Sequence, residues 1–549
     1  MRNSRIRVDI EGYTRTKHIS IPLRDGTNLC ANLFLPFSAS KDGQKVPVIC
    51  SLGPYGKDEH AATFGLPQTP IYAEMYKQIS PLGPDAVFEL CEPLISCREY
   101  GYALLRVDAR GIGGSEGRLD PFGLERSVLI NADAEGQDLY DITEWAGTQP
   151  WSSGRVALSG ISYYGMVGYW AAMQRPPHLT CVMSYETQCN MYHAARKGGI
   201  YSHNFQSHWF HNGVLPFQAG KLDGWQTDQE LVANRFNYPK VLSTTEYPDG
   251  GVWAVFDRVR KLEDIEVPIY LAGNWSDPEL HLPGYIRAFN GISSEFKWLK
   301  FLDYFLFDKK DNGMLDVPRI RLLQHHGIET LYREAEVAFP PPDAEDTIFY
   351  LTPDQTLSTT NSADANTTRT AFKTEGFGPE STNLHFALEP PFPEAFELLG
   401  SPYLNLEVST SAQDLDLFIY LRALDATGNP TILTGNHGEP MDSFARGFFR
   451  LSHRDEVARN FLEKRVIEQP NVPRSKVVRG EVYRVLVPLY PAVFLFDAGQ
   501  SVGLEIGHVN MTATIPAMRH EGGDRVAERF EGGNVIFSHG RLVLPRVRR

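Results

Sequence analysis

The chain has little of what would mark a secreted, membrane-spanning or nucleic-acid-binding protein. Only six cysteines occur in 549 residues: Cys30, Cys50, Cys91, Cys97, Cys181 and Cys189. They sit mostly in apolar, strand-like surroundings with no CxxC pair, which excludes a disulfide frame and a zinc site and reads as reduced core thiols. No apolar run approaches the about 20 residues of a membrane-spanning helix. The N-terminus, Met1-Arg-Asn-Ser-Arg-Ile-Arg, lacks the apolar segment of a secretory leader. Positive charge is in deficit: Lys plus Arg is 53 against 67 for Asp plus Glu, a net charge of −14. The nearest approach to a basic run is Arg546-Val-Arg-Arg549, so nucleic acid and anionic membranes are excluded as partners. There is no internal repeat. The expectation is a cytoplasmic protein with a small-molecule partner, with homo-oligomerisation left open.

What the chain does carry is chemistry at one turn. In Arg155-Val-Ala-Leu-Ser-Gly160-Ile-Ser162-Tyr-Tyr-Gly165-Met-Val-Gly168, a short apolar run ends at a serine boxed by glycines, and helical spacing follows. A strand, a sharp turn and a helix with serine at the apex is the nucleophile elbow of α/β-hydrolases. A serine hydroxyl is a poor nucleophile. It must stand clear of its strand, be reached by a base, and lie at a helix N-terminus whose amides meet developing negative charge. Side chains at Gly160 or Gly165 would crowd that turn.

The surrounding pattern supplies the scaffold. Residues 19–36 show two β-like runs about Asp25-Gly26, a hairpin signal. Val46-Pro-Val-Ile-Cys-Ser-Leu and Tyr102-Ala-Leu-Leu-Arg-Val-Asp108 are unbroken apolar runs of the kind found in buried parallel strands. Residues 131–146 show helical spacing, with Leu139, Ile142 and Trp145 or Ala146 on one face. This alternation predicts an α/β fold, a parallel hydrolase sheet formed by residues 1–186 and 263–345. Residues 187–262, aromatic and histidine-rich (His193, His203, His208, His211), interrupt it after the elbow and predict a helical cap over the nucleophile. Those histidines do not repeat at metal-ligand spacing, so neither a metal nor a cofactor is expected. Near Phe339-Pro-Pro-Pro342 the period changes to short alternating strands, predicting an all-β jelly-roll sandwich over residues 346–549.

A serine nucleophile needs a histidine oriented by an acid, in this fold in the chain order Ser, Asp or Glu, His. The strand Ile269-Tyr-Leu-Ala-Gly273 runs into Asn274-Trp-Ser-Asp277, which nominates Asp277 as the acid. The competing reading of Asp277 is an Asx turn or a helix cap.

Several motifs together resemble the X-prolyl dipeptidyl-peptidase and cocaine-esterase-like hydrolases. They are Gly53-Pro-Tyr-Gly56, Arg106-Val-Asp-Ala-Arg110-Gly with Gly114-Ser-Glu-Gly117, the elbow, and Trp275-Ser-Asp277. In the C-terminal half, Asp414-Leu-Asp-Leu-Phe-Ile-Tyr-Leu, Gly447-Phe-Phe-Arg-Leu-Ser-His-Arg454 and Leu489-Tyr-Pro491 agree. The resemblance implies Ser162 as nucleophile, Asp277 as acid, and an oxyanion hole of the Tyr55 hydroxyl and the Tyr163 backbone N–H. Tyr55 also fits from the residues alone, since a phenol on a Pro-Tyr-Gly turn at a strand end is a fixed donor. The resemblance also implies a histidine loop following a strand like Lys297-Trp-Leu-Lys300, yet here Lys300 runs directly into Phe301. His281, His325 and His326 are the histidines left between Asp277 and the sandwich, and none stands where that loop's histidine would. The expectation is therefore that no histidine reaches Ser162 and that simple esters are hydrolysed weakly. Three functions follow from the residues: an esterase or amidase working through an acyl-enzyme, an acyltransferase using the same intermediate, or a base-deficient relative that binds an acyl ligand without turnover. Carbohydrate binding through the sandwich has only fold analogy behind it.

Overall fold

The apolar runs become the centre of the first sheet. The computed structural model describes the chain apart from residues 1–5, 65–82, 222–223, 225, 249, 259–260, 276, 278, 293–300, 317–319, 336–337, 362–369, 378–382, 436–439, 455–460, 463–474, 510–519 and 549. Strands β1 (Ile6–Ile10), β2 (Tyr13–Pro22), β3 (Asn28–Pro36), β4 (Val46–Gly53), β5 (Ala103–Asp108), β6 (Ser152–Ile161) and β7 (Leu179–Tyr185) come first. A small cap hairpin, β8 (Arg196–Lys197) with β9 (Ile200–Tyr201), separates them from β10 (Ile269–Ala272). Eight of these form one sheet in the order β1-β2-β3-β5-β4-β6-β7-β10. The pairs from β5 through β10 are parallel, whereas β1, β2 and β3 join antiparallel at one edge. Every residue of β4 and β5 is buried, as expected for strands covered on both faces. Helices Ala134–Gly147 and Tyr163–Ala172 cover one face, the first burying Leu139, Ile142 and Ala146. Leu306 and Met314, at and beyond the end of helix Phe301–Leu306, pack on the other face with Ile49, Leu104 and Cys181. None of the six cysteines forms a disulfide, and five of them are buried.

Between β7 and β10 the chain is helical, with segments Met191–Ala195, His203–His208, Trp209–Val214, Asp228–Ala233, Tyr238–Thr244 and Gly251–Arg258. The β8–β9 hairpin among them was not expected. The Lys297–Lys300 strand, and Trp225 of the cap, lie outside the described residues.

The second sheet starts earlier than the change of period near Pro340 suggested. Strands β11 (Ile320–His326) and β12 (Glu329–Ala335) pair with each other, and β11 pairs with strand Ala492–Phe496 of the C-terminal sheet. The burial of β11 alternates, with Ile320, Leu322 and Gln324 inward, so it follows the period of the β-rich domain to which it belongs. Among the described residues the large sheet of that domain contains fifteen strands, ending with Arg541–Val547. No helix among the described residues is long and apolar enough to cross a membrane.

A buried ionic network docks the cap on the β-rich domain. Arg450, fully buried, bonds Asp416 through Nε (2.8 Å) and Asp524 through Nη1 (2.5 Å). Arg196 of β8 reaches the same Asp524 at 2.7 Å. Burial opposes ionisation of Asp524, but Arg450 and Arg196 outweigh it and hold the carboxyl down at about 2. Charges buried at this depth persist only when paired, so the network fixes the hairpin's position. The backbone repeats the contact, with Arg450 N–H donating to Gly198 O at 2.9 Å.

Candidate active site

β6 ends at Ile161 and the next helix begins at Tyr163, leaving Ser162 alone on the turn. It sits at φ 54°, ψ −117°, a conformation that a residue other than glycine holds only when its surroundings impose it. Here the Ser162 N–H donates to Tyr185 O at 2.9 Å, and Ser162 O accepts from Met166 N–H at 3.0 Å. A Cβ on Gly160 would fall 2.2 Å from Tyr164 Cβ, and one on Gly165 would fall 2.3 Å from Thr187 Cγ2. The glycine spacing is therefore a steric requirement of the elbow.

Asp277 is 5% exposed on the turn that follows β10. Its Oδ1 accepts the Leu280 N–H at 3.1 Å, and its Oδ2 lies 2.6 Å from His281 Nδ1. The local turn role and the pairing role are thus both filled, one oxygen for each. His281 Nε2 lies 3.0 Å from Ser162 Oγ. The expectation that no histidine reaches Ser162 is overturned: His281 bridges Asp277 and Ser162. The physical reason is the spacing. Asp277 and His281 are four residues apart on a turn closed by Leu282 N–H to Asp277 O (3.3 Å), so both side chains project to one side. The chain order Ser, Asp, His is the one found in α/β-hydrolases, here with Asp277 and His281 on one turn rather than on two loops. His325 and His326 lie on β11 in the other domain, His325 facing Phe494 and His326 paired with Asp497 at 2.9 Å.

Tyr55 follows β4 and is 4% exposed. Its ring meets Tyr163 and Tyr164, the two residues after Ser162, edge-on at centroid distances of 6.2 and 5.6 Å. Its hydroxyl accepts the Trp209 indole N–H at 2.8 Å, which leaves its own proton to donate elsewhere. Burial first, and then the nearby Glu89 carboxyl, keep that phenol protonated far above its ordinary range. The Tyr163 side chain turns away: its hydroxyl donates to Glu135 at 2.8 Å and accepts the Phe122 N–H at 2.7 Å.

Sequence reasoning passed over two further acids. Glu186 offers a carboxylate oxygen within 4.8 Å of the facing atoms of Asp277 and His281. Both His281 nitrogens are engaged by Asp277 and Ser162, so this grouping reads as an extension of the hydrogen-bonded chain rather than a metal cage. The Glu89 carbonyl accepts the Ile161 N–H at 3.2 Å, and burial followed by Glu186 raises the Glu89 carboxyl well above the carboxylate range. Neither acid belongs to a local motif. The visible signal for the contact of His281 with Ser162, in contrast, is Asp277-x-x-x-His281 leading into a helix.

Glu135 makes a testable titration. Burial raises its carboxyl to about 8, so the folded state retains a proton that the unfolded chain releases near 4.5. Stability is therefore full below pH 4.5 and falls as pH rises toward 8. Glu135→Gln removes that dependence. Its melting temperature relative to wild type should rise across this window, and a constant difference between pH 5 and 8 would contradict the assignment.

The sheet has the α/β-hydrolase form, and the family matches support a serine hydrolase acting on ester or amide bonds. The X-Pro dipeptidyl-peptidase (S15 family) model matches residues 25–301, and the X-Pro dipeptidyl-peptidase C-terminal non-catalytic domain matches residues 312–541. The chain belongs to the X-Pro dipeptidyl-peptidase (S15) family. It is 27% identical over 182 residues to the cocaine esterase of Rhodococcus sp. (strain MB1 Bresler), 33% of this chain and 25% of that enzyme. The match thus spans a quarter of that relative's length. A putative Xaa-Pro dipeptidyl-peptidase of Rhodopirellula baltica is 21% identical over 531 residues, covering 86% of this chain and 79% of the relative. A solved CocE/NonD family hydrolase from Staphylococcus aureus shares the fold at a TM-score of 0.80 and 24% identity, over 100% of this chain and 97% of that one. An α-amino acid ester hydrolase does so at 0.67 and 15%, over 98% of each.

Proposed function

We propose that Ser162 forms an acyl-enzyme with ester or amide substrates, with His281 as base and Asp277 as its orienting acid. The observation that carries this reading is the bridging imidazole, 3.0 Å from Ser162 Oγ and 2.6 Å from Asp277 Oδ2. Ser162 Oγ attacks the carbonyl carbon as its proton passes to His281 Nε2. Asp277 holds Nδ1–H and stabilises the imidazolium, and a carboxylate on Glu186 adds to that stabilisation. The oxyanion meets the Tyr55 hydroxyl and the Tyr163 N–H at the start of helix Tyr163–Ala172. Collapse expels the alcohol or amine with the proton from His281. Water, deprotonated by the same nitrogen, then releases the acid. An alcohol in place of water gives acyl transfer, decided by which acceptor the cap admits. A base-deficient reading needs a serine without a histidine in reach, and His281 Nε2 at 3.0 Å from Ser162 Oγ favours the active reading over it.

The test is a paired assay of an aryl ester and an aminoacyl-prolyl anilide. The reading expects a burst of aryl alcohol or aniline equal to the enzyme concentration from at least one of them, absent in Ser162→Ala. Turnover by Ser162→Ala at the wild-type rate would refute it. Tyr55→Phe should lower the acylation rate by about 10²–10³, and an unchanged rate would remove Tyr55 from the oxyanion hole.

A further inference from the structure

The turn that carries acid and base is held mainly from the other domain. Glu279 lies midway between Asp277 and His281 and is 3% exposed. Its Oε1 accepts from Nη1 of Arg446, on strand Ala445–Arg450 of the β-rich domain, and its Oε2 lies 3.7 Å from His520 Nε2. His520 is fully buried and Arg446 is 9% exposed. Burial opposes ionisation of Glu279, but Arg446, followed by His520, holds its carboxyl below the usual range. Directly after His281, Leu282 and Ile286 pack on Ile320, Leu322 and Leu399 of the same domain. From the sheet side, Gln188 donates its amide to Leu280 O. Lys197, 2% exposed, faces Glu279 and Asp277 from the cap, with Nζ bonded to Ala194 O at 3.0 Å. A buried carboxylate cannot leave its guanidinium at little cost, so Glu279 fixes the backbone between Asp277 and His281.

We propose that Glu279 is a positioning residue for the Asp277–His281 pair, and that Arg446 makes the β-rich domain a working part of the active site. The proposal rests on the reading of Ser162 and His281 as nucleophile and base. Without the pin the turn shifts, and a misplacement of about 1 Å at a reacting group costs on the order of 10²-fold in rate. The loss falls on kcat rather than KM, because the turn carries the groups proposed to react.

The test compares Arg446→Met with Arg422→Met. Arg422 pairs with Glu505 and with Asp442 (3.0 Å) inside the β-rich domain. Two readouts are taken on folded protein: steady-state hydrolysis of an aryl ester across pH, and the low-field N–H proton resonance of the His281–Asp277 bond, assigned by its loss in His281→Ala. Arg446→Met should lower kcat by about 10- to 10²-fold, shift the acid limb of its pH profile and weaken the resonance. Arg422→Met should leave all three in place even where it lowers the melting temperature. Glu279→Gln added to Arg446→Met should cost little more, since the two act as one unit. Should Arg446→Met not fold, Arg446→Lys, which keeps the charge but loses the fork, gives the same pattern with a smaller drop. Equal kcat and resonance in the Arg446 and Arg422 variants overturns the proposal. A wild type that shows the resonance, loses it in Arg446→Met, yet gives no burst sinks the hydrolase reading and leaves the pin standing.

Discussion

His281→Ala should lower acylation of Ser162 by an aryl ester by about 10⁴- to 10⁶-fold, because triad members act as a unit and the loss of one removes nearly all their effect. What remains comes from the oxyanion donors and substrate binding. The side chain is half-buried at the start of helix Leu282–Gly291 and makes no side-chain cap to it, so the helix should survive the substitution. His326→Ala, on the β-rich domain and paired with Asp497, should leave the rate unchanged. A loss of less than tenfold in His281→Ala would mean that another group takes the serine proton.

Asp277→Asn should reduce turnover by about 10⁴-fold with folding intact. The amide keeps an oxygen for the Leu280 N–H, so the local turn bond persists. What changes is the face presented to His281. An amide N–H there favours the imidazole tautomer that carries its proton toward Ser162, and that tautomer cannot accept the serine proton. The measurement is kcat for an aryl ester together with a thermal unfolding curve. Wild-type turnover in Asp277→Asn would reduce the residue to its turn role, whereas an unfolded variant would show that the turn itself was broken.

The elbow and the position of Asp277 are legible in the sequence because each obeys a local rule. Gly160 and Gly165 stand where any Cβ would collide, and Asp277 stands where a parallel strand delivers its successor to the sheet edge. The contact of His281 with Ser162 is not legible in the same way, because it arises from i,i+4 geometry on the turn that carries Asp277 rather than from a separate loop after residue 300. Residues 320–335 belong to the second sheet rather than the first because the strand alternation begins at Ile320, before the prolines. Glu186 and the Glu279–Arg446 pair were invisible for another reason. The latter joins residues 167 apart, and no spacing rule connects two positions that meet only through tertiary packing.

Activation of one nucleophile by one imidazole is tested most directly by intact-mass analysis after a fluorophosphonate probe, with the modified residue mapped by peptide sequencing. Wild type should take up one equivalent, on Ser162 alone. His281→Ala should react slower by about 10⁴-fold or more, and Ser162→Ala should take up none. Labelling on any other residue, or His281→Ala reacting at the wild-type rate, would contradict the account.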